Sequence, residues 1–334
     1  MNRPILERAA SKGLRVWRSG AAYLVDLAVA PFVHPEETVI LSGFWRSGTT
    51  WLQEAFAERM GAKTVFEPFR FRVDGMQAYY RRLNLPGGEP FLRAFMPCAR
   101  TEDGRRLVRR VIGRGLRSAL RSDQVRMYRE TKGARYSLRR RVVLKIIRSH
   151  LALAWIAETF PNPIVHMYRD PRAVIASAIY KTSRMWGVFE PFDLAGQLLG
   201  VNDGRVAYFS AWENEIKALN ERPFAIQFAA YWALTERCLL DRLIAGSRPV
   251  EFVRYEDLVE DPAVRIPELL ERLSVRTEGR IDAGGFAGDS PSTTKSGQDA
   301  KDRLFGWRKL LSGEEIETIE SIAHTFGLAD RLVD

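Results

Sequence analysis

Short runs of apolar residues alternate with longer amphipathic stretches along most of this 334-residue chain. Short apolar runs bounded by turn residues are typical of strands buried inside a parallel sheet. Stretches with apolar residues three and four positions apart indicate helices that pack on such a sheet. The pattern predicts an α/β fold with a central parallel sheet flanked by helices on both faces.

The predicted elements can be given with their bounds. The strands are Thr38–Ser42, Lys63–Phe66, Arg141–Ile147, Pro163–Tyr168 and Pro249–Val253. The helices are Thr50–Met60, Leu151–Phe160, Asp170–Tyr180, Arg205–Ala218, Phe224–Ile244 and Ser312–Phe326. Residues 70–100 are rich in Pro and Gly, which predicts loops with short helices. No repeat or linker is visible, so we expect one domain, with a helical extension at 1–36 and a core at 37–330.

The segment from Thr38 to Phe56 joins a strand to a helix through a turn of small polar residues. The amides of a helix's first turn have no partner within the helix and lie at the positive end of its dipole, so an anion binds there. Gly48 allows the backbone to approach that anion, and Arg46 adds a forked positive charge. Hydroxyl donors are supplied by Ser47, Thr49 and Thr50. This junction predicts a phosphate or sulfate site.

A second strand-to-helix junction lies at residues 164–177. The strand ends at Arg169, and Asp170 and Pro171 suit the cap and first position of the following helix. An arginine at the carboxyl end of a parallel strand lies where ligands bind in open α/β sheets. A capped turn with a surface arginine is the alternative interpretation.

These two junctions together resemble those of sulfotransferases that use 3′-phosphoadenosine 5′-phosphosulfate (PAPS). The first, Arg46 to Trp51, resembles their 5′-phosphosulfate loop, and the second, Arg169 to Ser177, resembles the 3′-phosphate motif of the carbohydrate branch. The segments Arg254–Pro262 and Gly306–Glu320 resemble further parts of the same superfamily. The resemblance implies a P-loop-like fold and a sulfuryl transfer from PAPS, without a metal ion.

The resemblance also assigns roles to single residues. It implies that Arg46, Ser47, Gly48, Thr49 and Thr50 bind the phosphosulfate and that Arg46 also stabilises charge in the reaction. Trp51 is implied to lie against the adenine, and Arg169 and Ser177 to bind the 3′-phosphate. Lys295 and Ser296 loosely resemble a loop that closes over that phosphate, and a surface loop is the alternative for them.

Three residues are candidates for the general base that an acceptor hydroxyl needs. Glu67, in Val65-Phe66-Glu67-Pro68, resembles the carbohydrate enzymes, and we rank it first. His150, which follows Arg148-Ser149, resembles the base of the cytosolic enzymes, and a histidine titrates in the required range. Glu54, on the helix after the loop, is the weakest candidate. The expected acceptor is a glycan, a lipid or a small molecule, held by aromatic residues of Phe66–Tyr80 with Met185, Trp186 and Phe189.

Two other functions compete with this hypothesis. Gly43 and Gly48 fit the spacing of a nucleotide-binding P-loop, which predicts a kinase, but Thr49 stands where that loop needs a lysine. Residues 100–150 hold fifteen Arg and two Lys against four acids, whereas the whole chain has a net charge of +10. This basic block is compatible with an adaptor that binds membranes or nucleic acid. No ladder of aromatic residues accompanies it, so nucleic acid is not an expected partner.

Composition and the N-terminus bear on location. The chain has two Cys and four His without metal-site or disulfide spacing, so we expect no metal site and a cytoplasmic, reducing compartment. Five basic residues precede the apolar stretch Ala21–Val33, which Asp26 interrupts. This extension is interpreted as a packing helix of the domain. A helix in contact with a membrane surface and a cleaved signal are the alternatives.

Overall fold

The computed structural model describes residues 24–70, 73, 76–85, 89–120, 134–181, 191–278 and 304–333. Five strands in these residues form one sheet, in the order β2-β3-β1-β4-β5, and every neighbouring pair is parallel. They are β1 (Val39–Gly43), β2 (Lys63–Phe66), β3 (Val142–Ile146), β4 (Ile164–Tyr168) and β5 (Glu251–Arg254). The predicted parallel α/β fold is confirmed.

The first helices of the described residues are α1 (Thr49–Arg59), α2 (Met76–Arg82), α3 (Glu89–Ala94), α4 (Glu102–Leu116), α5 (Ala134–Ser137), α6 (Leu153–Thr159) and α7 (Pro171–Lys181). They are followed by α8 (Leu194–Leu199), α9 (Val206–Phe209), α10 (Glu213–Asn220), α11 (Phe224–Ile244), α12 (Tyr255–Glu260), α13 (Pro262–Arg272) and α14 (Gly313–Thr325). Short 3₁₀ turns lie at Ala30–Phe32, Pro35–Glu37, Ser210–Trp212, Gly306–Lys309 and Ala329–Arg331. Across these residues, no helix combines the length and apolar character that crossing a bilayer requires.

Helices cover both faces of the sheet because the side chains of each strand alternate between the faces. Val39 and Leu41 of β1 belong to a cluster with α1, α12 and α13. Ile40 points the opposite way, into a cluster with α4 and α6. With β1 at the centre of the sheet, the ends of β3 and β4 flank the end of β1. The segments that follow these three strands are therefore neighbours in space.

One predicted helix is broken in the structure. Residues 205–218 form α9, a 3₁₀ turn and α10 instead of one continuous helix. The 3₁₀ turn brings the Trp212 ring edge-on against Phe326, with centroids 5.2 Å apart. The break is consistent with this tertiary contact outweighing the helical periodicity of the sequence.

Helix α1 is tied to the sheet by one buried side chain. Gln53 Nε2 donates hydrogen bonds to the carbonyl oxygens of Val65 and Val143, each at 2.9 Å. These bonds join α1 to β2 and β3 at a position where water does not compete, because Gln53 is fully buried. The beginning of α1, and with it the loop that joins β1 to α1, is thereby held in a defined place.

We expect Gln53→Met to lower the free energy of unfolding by about 1–3 kcal/mol, because two buried carbonyls lose a donor while side-chain volume is kept. Chemical denaturation measures the change. Gln227→Met is the matched control, since the Gln227 amide also donates to a carbonyl, that of Arg222, but on the exposed surface. Equal losses in both variants would contradict a special role for Gln53.

Candidate active site

The loop between β1 and α1 has a backbone that requires glycine at one position. Gly48 caps α1 with φ at 86°, in the left-handed region. A Cβ atom built there would lie 2.4 Å from the ring of Tyr255. Arg46 also has a positive φ, 69°, which is rare for a residue with a side chain and is found at functional sites where surrounding contacts enforce it.

The two predicted anion-binding junctions meet in the structure. Arg46 Nε donates a hydrogen bond to Ser177 Oγ at 2.9 Å, although 131 positions separate the two residues. Arg169 Nη1 donates to the carbonyl oxygen of Arg46 at 3.1 Å. Burial, and then the charge of Arg169, lower the pKa of Arg46 to about 10. The site therefore holds two guanidinium groups close together, an arrangement that an anion relieves.

The Ser47 hydroxyl fits a site for an anionic ligand. Its Oγ atom is buried and has no hydrogen-bond partner among the atoms of the described chain. A buried hydroxyl without a partner is costly, and it lies one residue before the cap of α1, where the first-turn amides also lack helical partners. A phosphate or sulfonate oxygen would satisfy these donors, so the residues present fit an anionic group.

Tyr255 completes the floor of the site and was not among the candidates from the sequence. Its ring lies beneath Gly48, and the Arg169 guanidinium lies 4.3 Å from the ring centroid. Trp51 meets the same ring edge-on at 6.2 Å. Tyr255 begins α12, directly after β5, so its position beside the loop depends on strand order, which the sequence does not reveal.

Glu67 lies beside the loop in an ion-pair cluster. Its carboxylate accepts a hydrogen bond from Arg148 Nη1, and Lys145 Nζ lies 3.6 Å from its other oxygen. Burial alone would raise the pKa of Glu67, but Arg148 and Lys145 outweigh burial and hold that pKa below its usual range. Glu67 is therefore ionised at neutral pH and able to accept a proton.

Lys145 is a second residue that the sequence argument missed. Its Nζ donates to Thr50 Oγ1 at 2.8 Å and so connects the first turn of α1 to Glu67. Burial is the main reason that the pKa of Lys145 falls to about 8. The available signal was a lysine inside the apolar strand Val142–Ile146, because such a residue is costly to bury unless it has a partner.

His150 lies in a different environment from Glu67. It is fully buried, and its Nε2 lies 3.0 Å from Glu236 Oε1, with His166 Nε2 3.2 Å from both oxygens of the same carboxylate. His166 Nδ1 lies 3.1 Å from Ser42 Oγ. The sequence spacing of the histidines does not predict this group, which brings three atoms of metal-ligand type within 4.8 Å of one another. Hydrogen bonds already satisfy the carboxylate there.

The other candidates are distributed as follows. Thr49 is buried at the start of α1, and Trp51 is half-buried beside Tyr255. Three of the aromatic residues expected to line an acceptor pocket, Phe69, Tyr79 and Tyr80, pack inward in a buried cluster, whereas the centroid of the Phe66 ring lies 3.5 Å from Lys145 Nζ. The candidates that lie outside the described part of the chain are Phe71, Met185, Trp186, Phe189, Lys295 and Ser296.

Comparisons with known proteins agree with the sequence resemblance. The family model for the sulfotransferase domain matches residues 36–283. Carbohydrate sulfotransferase 7 of Mus musculus is 28% identical over 179 residues, which cover 47% of this chain and 36% of that protein. The Rattus norvegicus protein of the same name is 27% identical over 187 residues with the same coverage. The match thus spans only about a third of the length of these relatives.

Two solved structures are similar at lower identity. The sulfotransferase domain from the curacin biosynthetic pathway is 18% identical, with a TM-score of 0.42, over 86% of this chain and 96% of that chain. A sulfotransferase from Alicyclobacillus acidocaldarius is 13% identical, with a TM-score of 0.37, over 86% and 95%.

The buried histidine–glutamate group predicts how stability depends on pH. Histidine contacts lower the pKa of Glu236 in the folded state despite burial, and burial lowers the pKa of His166 despite Glu236. The unfolded pKa values are 6.5 for His166 and 4.5 for Glu236. Below these values the unfolded chain binds more protons than the folded protein does. The free energy of unfolding therefore falls as the pH drops from 7 toward 4.

We expect Glu236→Gln to lower the free energy of unfolding at pH 7 by about 1–3 kcal/mol, because hydrogen bonds to a buried carboxylate are lost, and to remove the fall in stability below the unfolded glutamate pKa of 4.5. Denaturation at several pH values measures both effects. Glu158→Gln is the control, because the Glu158 carboxylate accepts hydrogen bonds from Ser247 at the exposed surface. An unchanged pH slope in Glu236→Gln would show that this group does not set it.

Proposed function

The chain belongs to the sulfotransferase domain family, and we propose that it transfers a sulfuryl group from PAPS to a hydroxyl or amine of an acceptor. The observation that carries the donor assignment is the contact between the two junctions. Arg46 donates a hydrogen bond to Ser177, and Arg169 donates one to the backbone carbonyl of Arg46. The two junctions are therefore close enough for one nucleotide to contact both. A nucleotide with phosphate groups at both its 5′ and 3′ positions matches two adjacent cationic sites.

Each part of the site has a task in this proposal. The amides that begin α1, with Ser47, Thr49 and Thr50, bind the 5′ anionic group. Arg169 and Ser177 bind the 3′-phosphate. Trp51 and Tyr255 offer aromatic surface for the adenine ring of the nucleotide, and the two side chains are in edge-on contact at 6.2 Å. When bound, PAPS supplies the sulfuryl group and a phosphate that leaves with the S–O bonding electrons.

Glu67 is the proposed general base. As the acceptor oxygen forms its bond to sulfur, Glu67 takes the proton of that hydroxyl. Arg46 and Lys145 stabilise the negative charge that develops on the transferred and leaving groups. His150 is a weaker candidate because its Nε2 is already engaged with Glu236 and its side chain is sealed from solvent. Glu54 remains the third candidate.

A carbohydrate is the acceptor class that we propose first. The reason is the name of the mouse and rat relatives, together with the Glu67-Pro68 and Arg169–Ser177 segments. Lipid and small-molecule alcohols are the alternatives, and an amine is a further one.

The nucleotide assignment is tested by calorimetry without Mg²⁺. We expect adenosine 3′,5′-bisphosphate to bind at least tenfold more tightly than AMP, because charge-assisted bonds to the 3′-phosphate contribute about 1.5–3 kcal/mol. Arg169→Ala removes most of this preference. Arg110→Ala, an exposed arginine on α4, is the matched control and leaves the preference unchanged. Equal affinity of the wild-type protein for both nucleotides would rule out the donor assignment.

The base assignment is tested on an acceptor found by screening N-acetylglucosamine, a phenol and a long-chain alcohol with radiolabelled donor. We expect Glu67→Gln to lower kcat by about 10²–10⁴-fold, the usual contribution of a general base, while nucleotide affinity stays within a few-fold. Glu58→Gln, an exposed glutamate on α1, is the control and keeps its activity. If Glu67→Gln stays active and His150→Gln does not, the ranking of the two bases is reversed.

A further inference from the structure

The described residues before β1 carry an unusual surface. From Leu24 to Phe32, every exposed side chain is apolar. We call this surface the N-terminal apolar face, and its members are Leu24, Val25, Leu27, Ala28, Pro31 and Phe32. Leu24 is 66% exposed and Phe32 is 60% exposed. An exposed apolar patch of this kind marks a surface that contacts a membrane or another protein.

Asp26, which interrupts this apolar stretch in the sequence, does not interrupt the surface. Its side chain is fully buried, and Lys63 Nζ lies 3.7 Å from its carboxylate. The only acid of the segment is thus turned toward the domain and matched by a buried cation. The outward side of residues 24–32 is left without a charge.

Arg140 borders this face, and a helix with exposed arginines packs on the same side of the sheet. The Arg140 guanidinium lies 5.9 Å from the centroid of the Phe32 ring, and Leu138 beside it is 59% exposed. Helix α4 packs on the same hydrophobic cluster as Val33. Thr38 Oγ1 donates a hydrogen bond to the carbonyl oxygen of Leu116, the last residue of α4. The exposed arginines of this helix and the residue after it are Arg105, Arg106, Arg109, Arg110 and Arg117. The apolar face and the basic helix therefore cover one side of the sheet.

We propose that this side of the protein docks on a bilayer that contains anionic phospholipid. The apolar side chains enter the boundary between headgroups and acyl chains, and the arginines lie at headgroup level, where lipid phosphates are their partners. A second copy of the chain fits less well, because it would bring arginines against arginines. The N-terminal residues of this chain fit less well for the same reason, since Arg3, Arg8, Lys12, Arg15 and Arg18 are all basic.

The experiment is flotation of the full chain with vesicles of phosphatidylcholine, with and without phosphatidylglycerol. It does not depend on the proposed enzymatic function, because no nucleotide or acceptor is present. We expect binding to the anionic vesicles that weakens as salt is added. Leu24→Gln combined with Phe32→Gln should weaken this binding roughly tenfold or more, because two large apolar side chains no longer enter the bilayer.

A matched pair provides the control. Val264→Gln combined with Leu310→Gln also replaces two exposed apolar side chains, one on α13 and one beside Trp307, away from the proposed surface. These variants should bind as the wild type does. A second test pair, Arg110→Gln with Arg140→Gln, leaves the apolar face intact and should lose the preference for anionic vesicles. Thermal melting of each variant confirms that it is folded.

Three results would overturn the proposal. The first is a wild-type protein that stays unbound to anionic vesicles at low salt. The second is equal loss of binding in the Leu24/Phe32 and Val264/Leu310 pairs. The third is a dimer in sedimentation velocity that the Leu24/Phe32 pair dissociates, which would assign the face to a second copy.

Discussion

The arrangement of the candidate active site depends on partly or fully buried Arg and Lys side chains, which are costly to remove from water. Arg46 and Arg169 touch each other through the loop backbone, while Lys145 and Arg148 converge on Glu67. Removing an ion from water costs several kcal/mol even after relaxation, so such a group persists only where negative partners repay the cost. Glu67 is the negative partner of Lys145 and Arg148. The Arg46 and Arg169 side chains lie close together, and a phosphate or sulfonate group bound beside them would lower the repulsion between their charges.

Strand order is what makes this concentration of charge achievable. Parallel strands direct their carboxyl ends to one edge of a sheet, and β1 lies between β3 and β4. The loop after β1 therefore adjoins the Arg148 segment on one side and the Arg169 segment on the other. Tyr255, after β5, closes the floor beneath Gly48. Residues from four distant parts of the chain thereby meet at one edge of the sheet.

The sequence predicted those features that depend on local chemistry. The strands, the loop with Gly48 and the helix begun by Pro171 follow from patterns within a few residues, and the structure contains all three. Pairings across the sheet were not predictable in the same way. Lys145 and Tyr255 enter the site through strand order, and Glu236 reaches His150 and His166 from α11, some 70 to 86 positions along the chain. The inward turn of Phe69, Tyr79 and Tyr80 likewise depends on packing that composition does not show.

Under the proposed function, the ion pairs of Glu67 create a problem that the site itself resolves. A carboxylate held by Arg148 and Lys145 is ionised but weakly basic, because its pKa lies below the usual range. Lys145 also donates to Thr50, in the first turn of α1, where the proposed anion binds. An anion bound there attracts Lys145 and places negative charge near Glu67, and both effects raise the pKa of the carboxylate. The base would then be strongest when the donor is in place, so that proton removal from the acceptor is coupled to donor binding through one lysine side chain.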